Sequence, residues 1–138
     1  MRPHRLGFAS SLLLSAVELA ACGDHAQGNP EAVAEYFIAA ANAGNSTQVY
    51  EMLGPSSRRR LDELRQSAKR VSGRLALQPQ DFLFAGRAPA AWEPQGVRLL
   101  QRSDTDAVVQ VFSAVGDRYS LNLVRQGQRW KIELPSNQ

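Results

Sequence analysis

The hydrophobic pattern of this chain changes period once, near residue 95, and that switch decides most of what the chain can fold into. Upstream, Val33, Phe37, Ala40 and Ala41, then Leu61, Leu64, Ala68 and Val71, recur at three- and four-residue spacing. Downstream, Tyr119, Leu121 and Leu123 alternate with Ser120 and Asn122, and Trp130, Ile132 and Leu134 alternate with Lys131 and Glu133. The first spacing lines one face of a helix; the second lines one face of a strand. A meander with one apolar face must bury it, and the helices before it are the available cover. The predicted class is α+β, with helices packed on an antiparallel sheet of about four strands.

Punctuation residues place the elements. Asn29-Pro30-Glu31 predicts a helix start, because Asn caps free amides, Pro fits the first helical position and Glu suits the positive end of the dipole. That helix runs to about Ala43 and stops at Gly44-Asn45; a shorter one spans 47–53 before Gly54-Pro55, and a third spans 56–71 before Ser72-Gly73. Gln78-Pro79-Gln80-Asp81 predicts one helical turn through Phe84, and Pro89 and Pro94 interrupt the segment between that turn and the first strand. Strands are predicted at 96–102, 107–115, 119–125 and 129–134, joined by short turns as hairpins in series. Phe112 and Trp130, inside strands, are assigned to the core.

The 138 residues, 43% hydrophobic and 21% charged, describe an ordinary globular chain and exclude disorder or a disulfide-knotted miniprotein. The N-terminus is different. Met1-Arg2-Pro3-His4-Arg5 is a cationic start, and the apolar run over 6–17 is too short to span a bilayer, which takes about 20 residues. It has the profile of a signal peptide. The run closes on Leu19-Ala20-Ala21-Cys22, which resembles the lipobox of bacterial lipoproteins, although Glu18 puts a carboxylate where such peptides are usually apolar. The resemblance implies cleavage before Cys22, acylation of its thiol and amine, and membrane anchoring through that lipid. Gly23 rather than Asp after the cysteine implies the outer membrane, with the protein facing the periplasm. The organisation is then a signal peptide over 1–21, a lipidated cysteine and tether over 22–29, and a domain over 30–135. Loss of Arg2, Arg5 and Glu18 lowers the net charge from +3 to +2, so basicity is no argument for nucleic acid.

The segments Pro30-Glu-Ala-Val-Ala-Glu-Tyr-Phe37, Tyr50-Glu-Met-Leu53-Gly-Pro55 and Gly127-Gln-Arg-Trp130-Lys-Ile132 resemble the nuclear-transport-factor-2-like superfamily, and in particular small bacterial lipoproteins built on that fold. The resemblance covers about residues 30 to 135 and implies a cone: a curved sheet around a long helix, with room for an apolar pocket. It implies no reaction, since one scaffold hosts enzymes, binding modules and dimerisation domains.

Residues 30–138 hold no histidine or cysteine, which excludes zinc sites, His-based triads and thiolate nucleophiles there; no catalytic residue, metal or cofactor is assigned. Superfamily enzymes such as ketosteroid isomerase use Asp, Tyr or His in the cone, and Asp81, Tyr36, Tyr50 and Tyr119 are the residues for that alternative, an isomerase, dehydratase or hydrolase. The primary reading is non-catalytic, with an apolar pocket drawn from Tyr36, Tyr50, Phe82, Phe84 and Trp92 for a small apolar ligand, or a surface for an envelope protein, in a monomer or homodimer. The third helix carries Arg58, Arg59, Arg60, Arg65, Lys69 and Arg70. These either face anionic headgroups or form ordinary exposed pairs, Arg58 with Asp62 and Arg59 with Glu63.

Overall fold

The structure, a computed structural model, describes residues 28–73, 78–83 and 94–135. Helix α1 (Pro30–Asn42) begins where Asn29 Oδ1 accepts from Glu31 N at 2.9 Å, with Pro30 in the first turn. It ends at Ala43 and turns through Gly44, whose φ of 67° suits glycine. Asn45 then caps α2 (Ser46–Met52) through Gln48 N. Helix α3 (Pro55–Ser72) closes on Gly73 in the left-handed region. A single 3-10 turn (Pro79–Phe82) comes next, closed at its start by Asp81, whose carboxylate accepts from Gln78 N at 2.8 Å.

Four strands, β1 (Pro94–Arg102), β2 (Asp106–Ser113), β3 (Arg118–Gln126) and β4 (Arg129–Glu133), make one antiparallel sheet in the order β1-β2-β3-β4. This is the α+β meander that the change of period predicts. Helix α1 lies on one sheet face against β1, β2 and β4, while α2 rests on α1, and α3 on the 3-10 turn and the end of β4. The core between them joins Val33, Ala34, Phe37 and Ile38 of α1 to Val109, Val111, Leu121, Leu123, Trp130 and Ile132 of the sheet, closed by Val49, Leu53 and Leu61. The far edge of β4 is shielded from further pairing: Leu53 forms a parallel bridge with Ile132, and Gly54 N donates to Ile132 O at 2.7 Å.

Strand β1 is irregular. Its pairing with β2 shifts between Pro94 and Gly96 and again between Leu99 and Gln101. The second shift leaves Leu100 half exposed and turns Arg102, opposite Ala107, toward the helix-covered face, where its guanidinium lies 5.6 Å from the Trp130 ring centroid. The Arg125 guanidinium, 5.9 Å away, reaches the same ring.

Four expectations are corrected. Strand β2 stops at Ser113 rather than 115, because Ser113 N donates to Asp117 O and Gly116 N to Ser113 O, which folds Ala114–Asp117 into the turn and leaves Val115 exposed. Phe112 is not in the core: it opposes Gly96 and Arg118 on the outer sheet face, and its ring covers Gly96, where an added Cβ would sit 2.7 Å from Phe112 Cζ. On α3 only Leu61 of the four apolar stripe residues is buried, Ala68 is half-buried, and Leu64 and Val71 are exposed, because the helix docks by its N-terminal half. Tyr119, in register with buried Val111, sits at the sheet margin and stays 40% exposed.

Candidate functional site

The most completely built polar site is the start of α3. Gly54 at its N-cap has no side chain, so the first amides of the helix lack a local acceptor. Glu133, on β4, supplies it from a distance in sequence. Its Oε2 accepts from Ser57 N at 2.8 Å and Ser57 Oγ at 2.5 Å, and its Oε1 from Ser56 N at 3.2 Å. Ser57 is fully buried, and its Oγ also accepts from Leu134 N at 2.8 Å. Gly54 leaves the room: a Cβ there would lie 2.3 Å from Glu133 Oε1. A carboxylate against helix amides joins two elements and neutralises the positive end of the dipole. Every acceptor atom in it serves the fold.

The end of α2 is held by cations. Arg58 Nη2 at 2.6 Å and Lys131 Nζ at 2.8 Å both donate to Glu51 O, and the Arg58 guanidinium stands 5.1 Å from the Tyr50 ring centroid. Burial, and then the charges of Arg58 and Arg129, hold the Lys131 ammonium below the usual lysine pKa, with the Glu51 carboxylate pulling the other way. Arg60 donates to Leu134 O and to Pro135 O, the latter at 3.1 Å. Arg58 and Arg60 therefore work as struts within the domain. Arg65 pairs with Asp62 at 3.6 Å, three residues away, in place of the Arg58–Asp62 pair that the spacing suggests. Arg59, Lys69 and Arg70 are exposed.

Of the five aromatics proposed for a pocket, Tyr36, Tyr50 and Phe82 fall within the described residues. Tyr36 is 55% exposed and its hydroxyl accepts from Gln48 Nε2 on the surface of α1 and α2. Tyr50 meets Arg58, and Phe82 packs half-buried against the core. Phe84, Trp92 and Cys22 lie outside the described residues. Among the described residues, a groove of about 300 Å³ runs between α1 and the start of β1. Glu35, Ile38, Ala39 and Asn42 form one wall, and Pro94–Val97 the other. Sequence reasoning missed it because nothing before folding sets Ile38 and Ala39 beside Pro94.

Of the acid-base candidates, Asp81 closes the 3-10 turn, and burial raises the Tyr119 pKa above the usual tyrosine value. Among the described residues no group of His, Cys, Asp and Glu is gathered as a metal site, and no helix is long and apolar enough to cross a membrane. No protein-family profile, curated protein or solved structure matches the chain.

Proposed function

We propose that this chain is a lipoprotein of the bacterial cell envelope, held through lipid on Cys22 in the outer membrane and facing the periplasm. Its nuclear-transport-factor-2-like α+β domain acts there as a non-catalytic binding or interaction module. The observation that carries the reading is Leu19-Ala20-Ala21-Cys22 placed directly behind a cationic start and an apolar run too short to span. Two or more acyl chains at one terminus give stable anchoring where one gives only marginal attachment. The domain's geometry is compatible with the cone: a helix lies along one sheet face, and β1 carries two irregularities of the kind that bend a sheet. The groove beside Ile38, Ala39 and Val97 offers an apolar ligand a place against α1. Glu31, Asp81 and Glu133 accept from backbone amides of the fold, which favours a structural over an acid-base role for these three carboxylates.

Two measurements test this. Cys22→Ala is expected to abolish incorporation of labelled palmitate and leave an unprocessed precursor; unchanged labelling would refute the anchor. Native mass spectrometry of the intact protein, released from membranes in mild detergent, is expected to show a co-purifying small molecule or a protein partner. A bare monomer that turns over a supplied ketosteroid or ester would overturn the non-catalytic reading.

A further inference from the structure

The sheet face turned away from α1 carries a second concavity, about 190 Å³, lined by Arg98, Gln110, Phe112, Ser113, Gly116 and Arg118. Register explains why these residues meet. Arg98 pairs with Gln110 and Gln110 with Ser120, while Gly96 pairs with Phe112 and Phe112 with Arg118. The two arginines thus sit diagonally across β2, about 12 Å apart at Cα by sheet spacing, near enough for their long side chains to wall one cleft. Phe112 forms its floor, its ring drawn over Gly96, where the missing Cβ leaves the space. Gly116, with φ of 91°, turns the chain sharply at the rim.

The chemistry of the lining is one-sided. Among the described residues neither the Arg98 nor the Arg118 side chain has an ion pair or hydrogen bond, and the side-chain amide of Gln110 is likewise unengaged. Ser113 Oγ accepts from Asp117 N at 3.2 Å, which leaves its own proton to donate. No lining residue is acidic. Guanidinium groups only donate, and two of them with an amide and a hydroxyl call for a ligand rich in acceptors and negatively charged. The aromatic floor adds a requirement for apolar surface, and the volume, below that of drug-sized pockets, limits the ligand to a small molecule.

We propose that this cleft binds a small organic carboxylate, its oxyanion between Arg98 and Arg118 and its apolar body against Phe112. The site is separate from the groove between α1 and β1, and it does not depend on the anchor. The test is a titration of the purified full chain in non-ionic detergent, followed through the arginine Nε–Hε and Phe112 ring resonances, with benzoate, benzyl alcohol and inorganic phosphate as probes. Benzoate is expected to shift Arg98, Arg118 and Phe112 together and saturably, with half-saturation near about 1 mM. Benzyl alcohol is expected to leave the arginines unmoved, and phosphate to bind more weakly than benzoate without shifting the ring. Arg98→Gln and Arg118→Gln, both at exposed positions, are each expected to weaken benzoate about tenfold, as loss of one charge-assisted contact implies. No saturable benzoate shift, equal response to benzyl alcohol, tighter binding of phosphate, or unchanged benzoate affinity in the double variant would each overturn the proposal.

Discussion

Glu133→Ala is the perturbation that most directly tests how this domain is joined. The substitution removes the acceptor of three donors, of which Ser56 N is exposed enough for water to replace the carboxylate. The other two belong to Ser57, which has no exposed surface, so its amide loses an acceptor and its hydroxyl a partner inside the protein. A buried donor left without a partner costs about 1–3 kcal/mol, and two place the loss near about 3 kcal/mol. For a domain of this size that lowers Tm by roughly 12–24 °C. Glu133→Gln, which keeps the shape and one acceptor, is expected to lose about 1–2 kcal/mol. Gly54→Ala reaches the same site from the other side, because its Cβ would lie 2.3 Å from Glu133 Oε1 and 3.1 Å from Val124 Cγ2. Its φ of −75° suits alanine, so the cost is steric rather than conformational. Alone it should cost about 2 kcal/mol by displacing the carboxylate; with Glu133 already truncated it should cost less than about 1 kcal/mol. Urea denaturation of the four proteins of this cycle gives the answer. Additive losses, or a loss below about 1 kcal/mol for Glu133→Ala, would refute the capping argument.

The remaining predictions concern charges elsewhere in the sheet. Arg102→Gln and Arg125→Gln are each expected to lower stability by about 0.5–1 kcal/mol and to shift Trp130 emission, since both guanidiniums stand over that ring; unchanged urea midpoints would count against the contact. Lys131 has a folded pKa below its unfolded one, so the unfolded chain binds more protons between the two values, and stability rises with pH through that window toward about 10.5. Lys131→Met is expected to flatten this rise in urea midpoints taken at successive pH values, and a rise that persists would contradict the assignment. Tyr119 has a raised folded pKa, so above about pH 10 its contribution is lost as pH increases, and Tyr119→Phe should remove that alkaline fall.

Local signals carried most of the architecture. Asn29-Pro30, Gly44, Gly54-Pro55 and Gly73 mark the helix ends within one or two residues, because capping and positive φ are decided by the residue itself and its near neighbours. Alternation placed Leu121, Leu123, Trp130 and Ile132 correctly for the same reason. Errors arose where a residue's place depends on a partner far along the chain. Phe112 obeys a strand periodicity that gives no sign of which face is covered, and its seat over Gly96 depends on the irregular pairing of β1. Leu64 and Val71 have helical spacing, yet how far α3 docks is set by Glu133 and Leu134, more than sixty residues away in the chain. The Arg98 and Arg118 cleft was invisible in sequence because neither arginine has a neighbour in sequence that marks it; only register brings them together.

The same long-range contacts change how the basic helix should be tested. From sequence, Arg58, Arg59 and Arg60 form one run, and neutralising all three is the natural probe of binding to anionic headgroups. In the fold, Arg58 holds the end of α2 and Arg60 holds the backbone after β4. Losing both therefore loosens the domain whatever the membrane does. Arg59 and Arg70 point away from buried Leu61 along nearly one line of α3, about 16 Å apart, with Glu63 exposed between them. Against an anionic surface each cation would contribute about 1 kcal/mol, so losing three would weaken association well over tenfold; we assign Arg59, Lys69 and Arg70 instead to a solvated face, which carries no such contribution. Arg59→Gln, Lys69→Gln and Arg70→Gln combined are thus expected to leave Tm within a degree or two of the parent and vesicle association of the lipidated protein within about twofold. Arg58→Gln with Arg60→Gln is expected to lower Tm clearly. Co-sedimentation with anionic vesicles at low and high salt separates the cases: a large salt-sensitive loss in the first variant, with its melting unchanged, would make α3 a membrane-facing element and refute its assignment as a solvated face.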